Sequence, residues 1–96
     1  MMGKKEAPVV EQELWLENRL GLHARPAMKI TRLAQQFESQ LVLEKDGLQA
    51  DARDLLAILT LDCPQGTRLV VRATGPDAPE ATLAVSRLFA RKFGEP

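Results

Sequence analysis

Residues 21–37 read Gly21-Leu22-His23-Ala24-Arg25-Pro26-Ala27-Met28-Lys29-Ile30-Thr31-Arg32-Leu33-Ala34-Gln35-Gln36-Phe37. Ala27, Ile30, Leu33, Ala34 and Phe37 recur at helical spacing and make one apolar stripe. Pro26 is tolerated only in a first helical turn, where its missing N–H has no partner to lose. The helix therefore starts at His23 or Ala24. Outward from it, the pattern changes to alternation. Val10–Glu17 reads as a strand with Leu14 and Leu16 on one face. Residues 41–44 and 48–50 read as two strands joined by the turn signal Lys45-Asp46-Gly47. Asp54 caps a short helix, Leu55-Leu56-Ala57-Ile58-Leu59, and Arg68–Ala73 forms a fourth strand. Gly75-Pro76 breaks that strand, and Asp77 with Glu80 opens a last helix whose stripe is Ala81, Ala84, Val85, Leu88 and Phe89.

The order is βαββαβα, which predicts an α+β fold with four antiparallel strands and helices covering one face. Leu14, Leu16, Leu41, Leu43, Leu69 and Val71 are expected to meet the helix stripes. Trp15, Val42 and Val70 fall on the other face, either as scattered apolar residues or as a contact patch. Residues 1–8 carry no periodic pattern and are expected to form a flexible tail. Residues 9–96 form the domain.

The chain has 96 residues, with 13 Lys+Arg balanced by 13 Asp+Glu. Its length suits one small core, and its neutrality argues against a general binder of nucleic acid or anionic membrane. A single Cys63 and a single His23 exclude an internal disulfide and a zinc site built from Cys and His alone. No apolar run approaches the roughly 20 residues of a membrane span, and the N-terminus lacks the apolar stretch of a signal peptide. A cytoplasmic protein without a cofactor is expected.

The candidate site lies at the start of the first helix. Helix N-termini carry unpaired N–H groups and partial positive charge, and normally attract acidic side chains. The other two helices follow this rule with Asp54 and Asp77. The first does the reverse: it opens with His23, Arg25 and Lys29, and no acidic residue follows until Glu38. That pattern anticipates an external oxyanion such as phosphate. His23 is the side chain there able to act as a nucleophile, and the amides of the first turn together with Arg25 suit a phosphoryl group carried on its ring. The bland alternative is an inert cap or surface residue.

Gly21-Leu22-His23-Ala24-Arg25-Pro26-Ala27 resembles the active-site segment of HPr, the histidine phosphocarrier of the bacterial phosphotransferase system. The resemblance continues through Asp46-Gly47, Asp54-Leu55-Leu56, Leu61, Gly66 and Ala73-Thr74-Gly75, and so covers about Val10 to Phe93. Ala27-Met28-Lys29, Ile58-Leu59-Thr60-Leu61-Asp62 and Ala73-Thr74-Gly75-Pro76 are more similar to the nitrogen-related branch, NPr.

The resemblance implies an open-faced β-sandwich. It also implies that His23 receives a phosphoryl group on Nδ1 from enzyme I, or its nitrogen-related counterpart, and passes it to an enzyme IIA domain. Phosphoenolpyruvate would be the original donor, bound by enzyme I. Arg25 matches the phosphate-stabilising arginine, and the amides of Ala24 and Arg25 would assist it. The alternative is a regulatory module whose affinity for a target is switched by phosphorylation of His23.

Asp54 stands where many family members have a regulatory serine and cannot be phosphorylated as serine is. It acts either as a helix cap or as a fixed charge that tunes docking. Leu55, Leu56 and Leu59 exceed what one face of so short a helix can bury, so they are expected to form an apolar partner surface beside His23. Met28 and Arg32 would complete it, or are ordinary solvated residues. Cys63 is expected to be a loop residue without a role. A monomer that docks transiently follows from the need to release each partner quickly.

Overall fold

In a computed structural model that describes residues 8–96, the alternating segments become one antiparallel sheet. Its strands are β1 (Val9–Trp15), β2 (Gln40–Lys45), β3 (Leu48–Asp51) and β4 (Arg68–Thr74), in the order β1-β4-β2-β3. The helices are α1 (Ala24–Ala34), α2 (Leu55–Thr60) and α3 (Ala78–Ala90), followed by a 3₁₀ turn at Lys92–Gly94. The tail expected over residues 1–8 lies outside the described residues apart from Pro8, whose carbonyl accepts from Gly75 N–H at 2.9 Å. No helix among the described residues is long and apolar enough to cross a membrane.

The period-2 pattern sends Leu14, Leu41, Leu43, Leu69 and Val71 to the inner face, where all are buried with Leu16. Ala27, Ile30 and Ala34 of α1, Ile58 of α2, and Ala81, Val85 and Phe89 of α3 close over them. Each fully buried leucine or isoleucine contributes about 1.5–3 kcal/mol relative to exposure. The outer face stays open. Trp15 is 50% exposed there, while Arg72 pairs with Glu11 and Glu44, and Arg68 with Glu13, across neighbouring strands. The β2–β3 turn uses Asp46 (φ +50°) and Gly47 (φ +85°), the left-handed pair that a two-residue hairpin requires.

Two local expectations are corrected and one holds. Helix α1 ends at Ala34 and not at Phe37, because Gln36 N–H bonds to Leu33 O and Phe37 N–H to Ala34 O in a tightening turn. Phe37 still packs on the core. Asp54 does cap α2, accepting from Ala57 N–H at 3.1 Å. Asp77 does not cap α3 with its side chain. Its carboxylate instead accepts from Glu38 N–H, Ser39 N–H and the Ser39 hydroxyl, tying the start of α3 to the turn before β2.

Candidate functional site

The loop from Asn18 to Leu22 places His23. Gly21 has φ +69°, and its amide bonds back to Asn18 O at 3.1 Å. Leu22 N–H donates to Cys63 O at 2.9 Å, which pins the loop against the segment after α2. Cys63 was expected to be idle. Its thiol is buried and held above its usual pKa by desolvation, but its carbonyl is a fixed anchor for the loop.

His23 is the N-cap of α1, with extended backbone and no capping bond from its side chain. Its carbonyl accepts from Ala27 N–H at 3.1 Å. Pro26 has no N–H, so Ala24 and Arg25 supply the free amides of the first turn. The side chain of His23 is 31% exposed. It shares one cleft with Ala24, Arg25, Met28, Lys29 and Arg32, and a second with Leu20, Leu22 and Leu59.

The acid missing from the first turn of α1 arrives from the far end of the chain. Glu95 Oε2 lies 2.8 Å from His23 Nε2 and also accepts from Asn18 Nδ2 at 2.9 Å. The side chain of Glu95 is only 9% exposed, and its other oxygen, Oε1, is buried without a hydrogen-bond partner. The bonds from His23 and then Asn18 hold its carboxyl below the ordinary 4.5, with Arg25 adding a smaller attraction. Asn18 is itself fully buried, and its amide also donates to Gly21 O at 2.7 Å. One side chain thus fixes both the loop before His23 and the carboxylate that meets the ring.

The expected cluster of His23, Arg25 and Lys29 is only partly free. Arg25 is exposed and makes no hydrogen bond or ion pair with the described residues. It stands between the cleft at His23 and a hollow lined by Arg19, Leu20, Glu95 and Pro96. Lys29 is not available in the same way, because its ammonium donates to Phe93 O at 2.5 Å. Met28 and Arg32 lie on the exposed side of α1, in the same cleft as His23.

The apolar residues divide. Leu56 is 75% exposed, whereas Leu55 and Leu59 are half-buried and pack partly on the core. Of the three, Leu59 shares a cleft with His23. Leu20, which the sequence reading treated only as loop, is 69% exposed and borders both His23 and Arg25. Asn18, Leu20 and Glu95 lie outside every periodic segment, so nothing in the sequence pattern pointed to them.

An imidazole at an anion-attracting helix start, on a small open-faced sandwich, defines the class of small histidine phosphocarriers. The comparisons agree. A family model described as the PTS HPr component phosphorylation site matches residues 10–91. Phosphocarrier protein NPr of Escherichia coli (strain K12) is 44% identical over 87 residues, spanning 90% of this chain and 97% of that protein. Phosphocarrier protein HPr of Cupriavidus necator is 36% identical over 87 residues, spanning 91% and 98%. The crystal structure of HPr-C-His from Thermoanaerobacter tengcongensis superposes with a TM-score of 0.87 at 37% identity, covering 91% of this chain and 98% of that one. This chain belongs to the HPr family of phosphocarrier proteins, and within it is NPr-like.

Proposed function

We propose that His23 is the phosphoryl acceptor of this carrier, charged by enzyme I or its nitrogen-related counterpart and discharged to an enzyme IIA domain. Phosphoenolpyruvate, held by enzyme I, is the original donor. The observation that carries this reading is the position of the ring: it projects from the N-cap residue of α1, is one-third exposed, and shares a cleft with Arg25. In the step itself, a ring nitrogen forms the bond to phosphorus while the donor's leaving atom takes the pair of the bond that breaks. The three phosphoryl oxygens then meet the Ala24 and Arg25 amides and the Arg25 guanidinium. These groups offset charge without enclosing it, which suits a group that must leave again.

The partner surface in this reading combines Leu55, Leu56 and Leu59 with Met28 and Arg32. Exposed Leu56 and Met28 supply apolar area, and Arg32 a rim charge. Docking is transient and the carrier monomeric and cytoplasmic. Asp54 serves as the cap of α2, and its charge also faces incoming partners. The alternative is a regulatory module, in which phosphorylation of His23 changes affinity for a target.

The test is incubation with phosphoenolpyruvate and each type of enzyme I, followed by each type of enzyme IIA. Uptake of one acid-labile phosphate, its loss in His23→Ala, and onward transfer to an enzyme IIA are expected. Uptake by His23→Ala would overturn the reading. Phosphorylation without onward transfer to any enzyme IIA would favour the regulatory role.

A further inference from the structure

Glu95 reaches His23 across 72 positions of sequence, and the backbone works to bring it there. Lys92 and Phe93 both have left-handed φ values, +53° and +56°, a conformation that costs a side-chain-bearing residue about 1–2 kcal/mol. Several contacts outweigh that strain. Phe93 is buried edge-on against Phe89, with ring centroids 5.0 Å apart. Its carbonyl receives Lys29, and Pro96 O receives Arg19 N–H at 2.7 Å. The end of the chain is therefore fastened on both sides of Glu95. Its carboxylate makes no bond to the Ala24 or Arg25 amides, so it leaves the phosphate-binding groups of the first turn free. It addresses the imidazole instead.

We propose that Glu95 is a positioning residue for phosphoryl transfer: it holds the His23 proton on Nε2 and so presents an unprotonated Nδ1 to the donor. The inference rests on the carrier reading above. An ionised carboxylate can only accept hydrogen bonds, so the atom facing it across 2.8 Å must donate. Hydrogen bonds from His23 and Asn18 favour the ionised form of Glu95. A neutral imidazole has one ring proton, and with Nε2 carrying it the lone pair sits on Nδ1. During transfer, Nδ1 bonds to phosphorus and the bond from phosphorus to the donor's leaving atom breaks, with its electron pair going to that atom. The proton stays on Nε2. The positive charge that develops on the ring is then opposed by Glu95, itself held by the buried Asn18 amide.

The test uses the full chain with ¹⁵N-labelled histidine, first unphosphorylated and at a pH where the ring is neutral. The wild type is expected to show Nε2 protonated and Nδ1 bare. Glu95→Ala should admit a measurable fraction of the other tautomer and take phosphate about tenfold more slowly. Glu95→Gln keeps a neutral acceptor oxygen and should fall between them. Equal melting temperatures would separate this role from simple anchoring of the chain end. A bare Nε2 in the wild type, or wild-type ring signals and rates in Glu95→Ala, overturns the inference. Failure of the wild type to take any phosphate sinks the carrier reading instead, and is read in a separate experiment from the tautomer.

Discussion

Gly21 and Cys63 meet so closely that a Cβ on Gly21 would overlap the Cys63 carbonyl oxygen and lie 3.0 Å from Pro64 Cα. Both neighbours are backbone, so neither can swing away. The conformation is left-handed as well. Gly21→Ala should therefore lower stability by about 2 kcal/mol or more. Gly47 provides the control: its φ is also positive, but a Cβ there meets nothing within 4 Å. Gly47→Ala should cost only about 1 kcal/mol, from the dihedral alone. Urea midpoints of the two variants measure the difference, and equal midpoints would mean the loop yields at Cys63.

Arg25 touches the proposed chemistry without supporting the fold. Its side chain is exposed and has no bonded partner among the described residues, so Arg25→Ala should leave the melting temperature unchanged. The rate of phosphorylation should fall roughly 100-fold, the scale of a lost charge-stabilising donor. Arg25→Lys should recover only part of that rate, because an ammonium cannot present a planar fork to phosphate oxygens. Stopped-time phosphate uptake gives both values.

On α2, neighbouring positions should separate docking from stability. Leu56 is 75% exposed and Ile58 fully buried. Leu56→Ala should change stability by no more than about 0.5 kcal/mol while raising the KM for this carrier as a substrate of enzyme I. Ile58→Ala should cost about 2–5 kcal/mol through the cavity it leaves. A Leu56→Ala variant with an unchanged KM would remove this helix from the docking surface.

Asp77 sets an acid limit on the tie between α3 and the turn before β2. The Ser39 hydroxyl and then the Glu38 N–H hold its carboxyl below the ordinary 3.8. A folded-state pKa lower than the unfolded one stabilises the protein fully above the unfolded value. That contribution is lost as pH falls through the folded value. Asp77→Asn should therefore melt below the wild type near neutral pH, with the gap closing as pH drops below 3.8. Melting curves across that range check it, and a gap that persists unchanged in acid would assign the loss to something other than the charge.

The inner face of the sheet was legible because alternation and burial are both local. Leu41, Leu43, Leu69 and Val71 declare themselves within a few residues. His23 and Arg25 were legible for a related reason: a helix that opens with cations violates a local electrostatic rule. The order of strands was not, since placing β4 between β1 and β2 depends on pairing across long separations. Glu95 was equally hidden. It follows a strained turn, belongs to no stripe, and gains its meaning only when Phe93 is buried and Asn18 comes within reach. Asp77 misled for the opposite reason: its position looks like a cap, but Ser39 offers it better partners from elsewhere in the chain.

The most direct test of the central claim is the site of the covalent bond. Protein charged by enzyme I and phosphoenolpyruvate, with ¹⁵N in the His23 ring, should show phosphorus coupled to Nδ1 while Nε2 remains protonated. Phosphorus on Nε2, or on any residue other than His23, would contradict it.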